Sequence, residues 1–226
     1  MIRLHITVEG QTEQNFARKI LAPHLANHDV YVDARCVLTS RDRRASRNYR
    51  GGLLSYEKAK KDIQIWIKED NYRECIFSTM FDLYALPHDF PGYQEALHVS
   101  DPYTRIAVLE RAMEKDFNDQ RFVPYIQLHE FEALILADPQ QLDWEYLDHA
   151  IPIARLLAEV DGLNPELIND GPSTAPSKRI LRELPEYDKA SAGVEVVSRI
   201  GLRTLREKCR HFNEWLERLE QIATGQ

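Results

Sequence analysis

Long apolar runs are missing from this sequence. No stretch approaches the ~20 residues that a membrane span needs, so no membrane anchor is expected. Cysteine is scarce: Cys36, Cys75 and Cys209 stand apart, with no C-x-x-C pair among them. That spacing excludes a zinc ribbon or a disulfide frame and points to reduced, mostly buried thiols in a cytosolic protein. No charged leader with an apolar core precedes the first expected strand, so export is not expected and a cytoplasmic location is. An overall basic excess is absent too. Lys and Arg number 29 against 36 Asp and Glu, a formal charge of -7, which leaves room only for a local basic patch. No G-x-x-x-x-G-K-[ST] loop occurs, so the chain carries no P-loop nucleotide site. No internal repeat or low-complexity segment is found. What remains is ordinary soluble composition, 43% apolar and 29% charged, in a chain long enough for one domain with an elaboration.

The first thirteen residues organise the rest. Leu4 to Val8 is short, apolar and β-branched, and it runs straight into Glu9 and Gly10. Thr12 reads as a helix N-cap ahead of Phe16, Ile20 and Leu21 at helical spacing. Residues 30–38 read as a second strand, 40–52 as a polar loop, and a helix starting at Ser55 turns Ala59, Ile63, Trp66 and Ile67 to one face. Residues 74–81 are nearly all apolar, as in a strand covered on both sides, and end at Asp82. After a proline-bearing loop come a helix over 103–117 and a short strand over 121–128. This alternation predicts a mainly parallel sheet flanked by helices. Beyond Asp138 the pattern changes to helices and loops: a helix over 151–160, a break at Asn169-Asp170-Gly171-Pro172, a helix from near Lys178, and a last helix. The last carries Leu202, Leu205, Cys209, Phe212, Leu216 and Leu219 as a core stripe. The expected division is an α/β core over 1–138 and a helical elaboration over 139–226.

Acidic residues fall at the ends of the expected strands: Glu9 after the first, Asp82 after the third, Glu130 and Glu132 after the fourth. Glu13 follows Glu9 by one helical turn. Strand ends of one polarity share an edge in a parallel sheet, the rim where such folds place ligands. Clustered carboxylates repel and need a cation, and hard oxygen donors suit Mg²⁺ or Mn²⁺, which activate water for phosphoryl displacement. The plainer reading of any one of them is a helix cap or a surface group. His129 reads as a general base, a phosphate ligand or a group that orients a neighbour. Lys178 and Arg179 open a helix, where backbone N–H groups favour anions; the alternative is a solvated helix end. Arg41, Arg43, Arg44, Arg47 and Arg50, with Tyr49 available for stacking, could grip a phosphate backbone or merely neutralise acidic neighbours.

The segment Val8-Glu9-Gly10-Gln11-Thr12-Glu13 resembles the V-E-G-x-T-E signature of Toprim-type domains. Four further segments resemble the bacterial family DUF4276: Phe81-Asp82-Leu83-Tyr84-Ala85-Leu86-Pro87, Asp89-Phe90-Pro91-Gly92, His129-Glu130-Phe131-Glu132-Ala133-Leu134, and Asn169-Asp170-Gly171-Pro172 with Ala175-Pro176-Ser177-Lys178-Arg179. The resemblance implies a Toprim-like (Rossmann-like) sheet and a Mg²⁺ or Mn²⁺ site for nucleic-acid cleavage. Glu9 and Glu13 match the E-x-x-x-E of the overcoming-lysogenization-defect nucleases. The Toprim D-x-D reads Asp82-Leu83-Tyr84 here, and a phenol protonated at neutral pH is a poor Mg²⁺ ligand. Either Glu132 or Asp89 supplies the missing carboxylate, or the site holds one ion, or it has lost metal chemistry. Glu132 is favoured over Glu130, since residues two apart on a helix point to different faces.

The resulting expectation is a metal-dependent nuclease for DNA or RNA, acting in bacterial defence with a separately encoded AAA- or ABC-type ATPase, with homodimerisation left open. Glu9, Asp82 and Lys178 are the catalytic candidates, Lys178 stabilising transition-state charge. Glu9, Glu13, Asp82 and Glu132 are the metal ligands, and Arg43, Arg44, Arg47 and Arg179 bind nucleic acid. The rivals are a non-catalytic scaffold subunit of an ATPase complex and a phosphohydrolase acting on small nucleotides.

Overall fold

The computed structural model describes residues 1–42, 47–50, 53–168, 171 and 173–222, with the backbone alone at 38–42, 47–50 and 85. The chain divides into two units, residues 1–126 with the chain end from Glu217, and residues 127–216.

In the first unit, β1 (Ile2–Val8) buries every residue from Leu4 to Val8, so both of its faces are covered. It leads into α1 (Gln11–Phe16), a π-helical turn over Ala17–Leu21, and α2 (Ala22–Ala26). The widened turn has a cause in the sequence. Pro23 has no N–H for the carbonyl of Lys19 and its ring crowds that carbonyl, so Ala22 N–H bonds back to Ala17 instead. Next come β2 (Val30–Cys36), then β3 (Leu38–Asp42) and β4 (Arg47–Arg50), an antiparallel pair where the sequence suggested only a loop. Then follow α3 (Tyr56–Glu69), β5 (Cys75–Asp82), α4 (Tyr93–Ala96) and α5 (Pro102–Phe117). The unit closes with β6 (Phe122–Val123), and β7 (Ile126–Gln127) lies where the second begins.

The sheet has five strands in the order β2-β1-β5-β6, with β7 also paired to β5. Its ladders β1–β2, β1–β5 and β5–β6 are parallel, as the strand–helix alternation predicts. The strand expected over 121–128 is broken at Pro124, which has no N–H to give the ladder. Around the break, the Thr79 hydroxyl accepts from Tyr125 N–H at 3.0 Å and donates to Tyr125 C=O at 2.9 Å, while Ser78 donates to Val123 C=O. α3 turns Ala59, Ile63 and Trp66 inward, and α5 turns Ile106, Leu109 and Met113.

The second unit is helical: α6 (Glu132–Ile135), a 3₁₀ turn over Pro139–Trp144, α7 (Ala150–Val160), α8 (Pro176–Glu183), a π-helical turn over Lys189–Gly193, and α9 (Val194–Lys208). α10 (Arg210–Gln221) starts in this unit and ends in the first. The single last helix expected from the apolar stripe is therefore two. Gly201, at φ +76°, kinks α9, and Cys209 lies between α9 and α10. The start of α10 is held from afar: the fully buried Glu166 carboxylate accepts from the backbone N–H groups of His211 and Phe212, both at 2.9 Å. Two otherwise orphaned donors and a helix dipole are satisfied at once. Cys36, Cys75 and Cys209 are buried thiols that form no disulfide among the described residues. Among the described residues no helix is long and apolar enough to cross a membrane.

Candidate metal-binding edge of the sheet

β1 and β5 end side by side, and this brings Glu9 and Asp82 together. Glu9 N–H continues the ladder to Met80 C=O at 3.3 Å, and the Glu9 carboxylate returns to accept from Asp82 N–H at 3.2 Å. Asp82 itself is buried. Gly10 follows as the N-cap of α1 in extended backbone, with Gln14 N–H on its carbonyl, so the helix begins two residues earlier than a Thr12 cap implies. Thr12 is buried inside the first turn instead. A Cβ on residue 10 would stand 3.1 Å from Glu13 Oε2, so the buried Glu13 carboxylate folds back over Gly10. Three carboxylates thus belong to one strand–turn–helix edge of one unit.

The donor set is all oxygen, which suits Mg²⁺ or Mn²⁺ and not a softer metal. Among the described residues, the triplets whose ligand atoms lie within 4.8 Å of one another are His5–Asp70–Cys75 and His24–His28–Glu220, so Glu9, Glu13 and Asp82 are neighbours without closing into such a triplet.

The residues weighed for the missing second aspartate have distinct surroundings. Tyr84, in the 3₁₀ turn Leu83–Ala85, is exposed. Asp89 caps α3 from outside, accepting from the Ser55 hydroxyl at 2.9 Å and from Tyr56 N–H at 3.0 Å. Burial pushes the Asp89 pKa up, but those backbone and hydroxyl bonds outweigh it and hold the carboxyl below its ordinary value.

Within the second unit, Glu130 precedes α6 and only Glu132 lies in it, so the helix spacing expected for the pair does not apply. Glu130 accepts from Ser177 N–H at 2.6 Å, in the first turn of α8, while buried Glu132 pairs with Lys189 at 3.4 Å. Lys189 also lies 5.7 Å from the ring of Phe131, and nothing in the local sequence marks it as the partner of a residue so far upstream. Burial, and next the charge of Glu132, push the Tyr187 phenol far above its ordinary pKa. His129 stands in the left-handed region, φ +62°, uncommon for a non-glycine residue. Lys178 is exposed in the first turn of α8. Arg179 is not a surface cation: it is 7% exposed, with its guanidinium on the Thr174 carbonyl at 2.7 Å and on the Glu159 carboxylate. Arg43 and Arg44 lie outside the described residues, and Arg47 is described only as backbone in β4.

The DUF4276 family, a domain of unknown function, matches residues 8–220, nearly the whole chain and all the segments above. No curated protein and no solved structure matches the chain.

Proposed function

The chain belongs to the DUF4276 family, and on that premise we propose that it is a metal-dependent nuclease of Toprim type, a phosphodiesterase for DNA or RNA that serves as a bacterial defence effector alongside a separate ATPase. One observation carries the reading. Glu9 and Asp82, 73 residues apart in sequence, meet at the shared carboxyl edge of two parallel strands, with Glu13 folded back over Gly10 beside them.

Glu9, Glu13 and Asp82 are the residues that would hold Mg²⁺ or Mn²⁺. Such an ion supplies Lewis acidity at a phosphoryl oxygen and water of lowered pKa. The chain's own part is to fix the carboxylates. Asp82 N–H orients Glu9, so that its second oxygen is aimed by the backbone and not by a mobile side chain. Glu9 in that position serves as ligand or as the base that takes the proton of the attacking water. The arginines of the β3–β4 region are proposed to bind the polymer.

A second reading has its own observation. Tyr84, exposed where the Toprim pattern has its second aspartate, favours a degenerate site in a scaffold subunit of an ATPase complex. Cleavage of labelled DNA and of an RNA pool with Mg²⁺ or Mn²⁺ separates the two. Cutting that disappears in Glu9→Gln and Asp82→Asn supports the nuclease. A chain that neither cuts nor binds Mn²⁺ by calorimetry sinks it and leaves the scaffold.

A further inference from the structure

We propose that His24, His28 and Glu220 form a binding site for one Zn²⁺ ion, separate from the carboxylate edge and built of different donors. His24 lies in α2 and His28 just beyond it, one turn apart, with ring centroids 5.2 Å from each other. Glu220, in the last turn of α10, belongs to the same unit. His24 Nε2 is 2.6 Å from Glu220 Oε1, and His28 Nε2 is 4.0 Å from the same oxygen. The three ligand atoms all lie within 4.8 Å of one another.

The spacing is that of a site awaiting small adjustment. A tetrahedral zinc with bonds of about 2.0–2.2 Å spaces its ligand atoms about 3.3 Å apart. The short pair must open and the long pair close, each by less than about 1 Å, which side-chain rotation supplies. His24 Nε2 donates to the carboxylate without the metal; on binding, that proton moves to Nδ1 or to solvent, freeing a lone pair for the ion. Two imidazoles and one carboxylate are a donor set that zinc accepts with its fourth position open to water. The histidine side chains are 26% and 38% exposed and that of Glu220 is 12% exposed, so the anchor is held and the ion has a way in.

The other triplet, His5–Asp70–Cys75, lacks these properties. Asp70 Oδ1 is occupied by the Arg3 guanidinium at 2.8 Å, a fixed positive charge where an ion would sit, and all three residues are buried. With zinc bound, the last turn of α10 is tied to α2 by coordination in place of one hydrogen bond.

The test is a titration of the full chain, freed of metal by a chelator, with Zn²⁺ alone, followed by calorimetry and thermal unfolding. One equivalent binds, the melting temperature rises, and excess Mg²⁺ does not compete. His28→Ala is the decisive variant, because His28 sits 4.0 Å from the carboxylate and its loss leaves the His24–Glu220 bond in place. It weakens zinc binding by about 100-fold or more and removes the thermal shift. Glu220→Gln does the same, while Glu9→Gln and Asp82→Asn leave zinc binding unchanged, so failure here and failure of the nuclease reading are told apart. Absence of zinc binding, or binding that survives both His28→Ala and Glu220→Gln, overturns the site.

Discussion

The two ends of the β1–β5 pair carry polar clusters of opposite character. At the amino end, Asp70 accepts from Arg3 and from His5, both at 2.8 Å, and the Cys75 thiol donates to it as well. His5 packs against both Trp66, at 4.4 Å between centroids, and Phe77, at 5.1 Å, which also meet each other edge to face at 6.4 Å. Arg121 closes the back of the cluster through the Asp70 carbonyl. At the carboxyl end, Glu9, Glu13 and Asp82 are three carboxylates, with Glu9 accepting from Asp82 N–H and Glu13 lying over Gly10 at the start of α1. The first cluster is charge-balanced and holds the entry to β5 in place. The second brings three carboxylates to one rim, and the proposed cation site rests on that gathering. The two clusters differ in composition: one pairs acid with base, the other gathers acids, and the second is where a ligand is proposed.

The sharpest way to break this comparison is to remove Asp70. Asp70→Ala strands a buried histidine and a guanidinium and is expected to cost about 3 kcal/mol in urea unfolding. On the proposed metal-site reading, Asp82→Asn and Glu9→Gln, at the other end of the same strands, leave stability unchanged or raise it by up to about 1 kcal/mol, because each removes one of the gathered carboxylates. Both should abolish Mn²⁺ binding. If Asp82→Asn proves as destabilising as Asp70→Ala, the carboxyl edge is a structural network like its counterpart.

Acid sharpens the same contrast. Burial raises the Asp70 pKa, but the Cys75 thiol, His5 and the Arg3 charge outweigh it, so the carboxyl titrates below its ordinary value. The unfolded chain then takes up the proton more readily than the folded one. The stabilisation from Asp70 is complete above the ordinary aspartate value of about 3.9 and is lost as pH falls through the lower folded value. Asp70→Asn should flatten the acid limb of a stability–pH curve without removing it, since Asp89, Asp116, Asp119 and Glu183 are also held low.

What could be read from the sequence follows the range of the forces involved. The parallel sheet and the placing of Glu9 and Asp82 at strand ends come from local periodicity. Pairings across the chain were not legible. Asp70 looks like a helix-end residue until β1 brings His5 beside it, and Asp89 looks like a loop acid until α3 presents its first N–H groups. Glu132 carries no local sign of Lys189, and Arg179 looks like a solvated cation until Glu159 covers it. Pro124 and Gly201 were visible as residues, but whether a strand or helix bends, breaks or absorbs them depends on what packs alongside. Thr12 reads as a cap because its side chain suits the role, yet Gly10 holds the position and leaves room for Glu13.

That last exchange gives the finest probe of the comparison, and the smallest in energy. Gly10 has φ −146° and ψ −174°, extended backbone that any residue adopts, so Gly10→Ala carries no conformational strain. Its new methyl meets Glu13 Oε2 at 3.1 Å, and Glu13, 2% exposed, has little room to yield. The expected loss of stability is about 0.5 kcal/mol, mostly from replacing glycine by alanine at an N-cap. Mn²⁺ affinity should fall by several-fold, about 1 kcal/mol, since the methyl moves a ligand oxygen by a few tenths of an ångström while Glu9 and Asp82 stay put. Calorimetry on Gly10→Ala beside Glu13→Gln decides what that glycine is for. If both variants bind Mn²⁺ as the wild type does, Glu13 is a buried helix-start carboxylate of the balanced, structural kind, and the ion belongs to Glu9 and Asp82 alone.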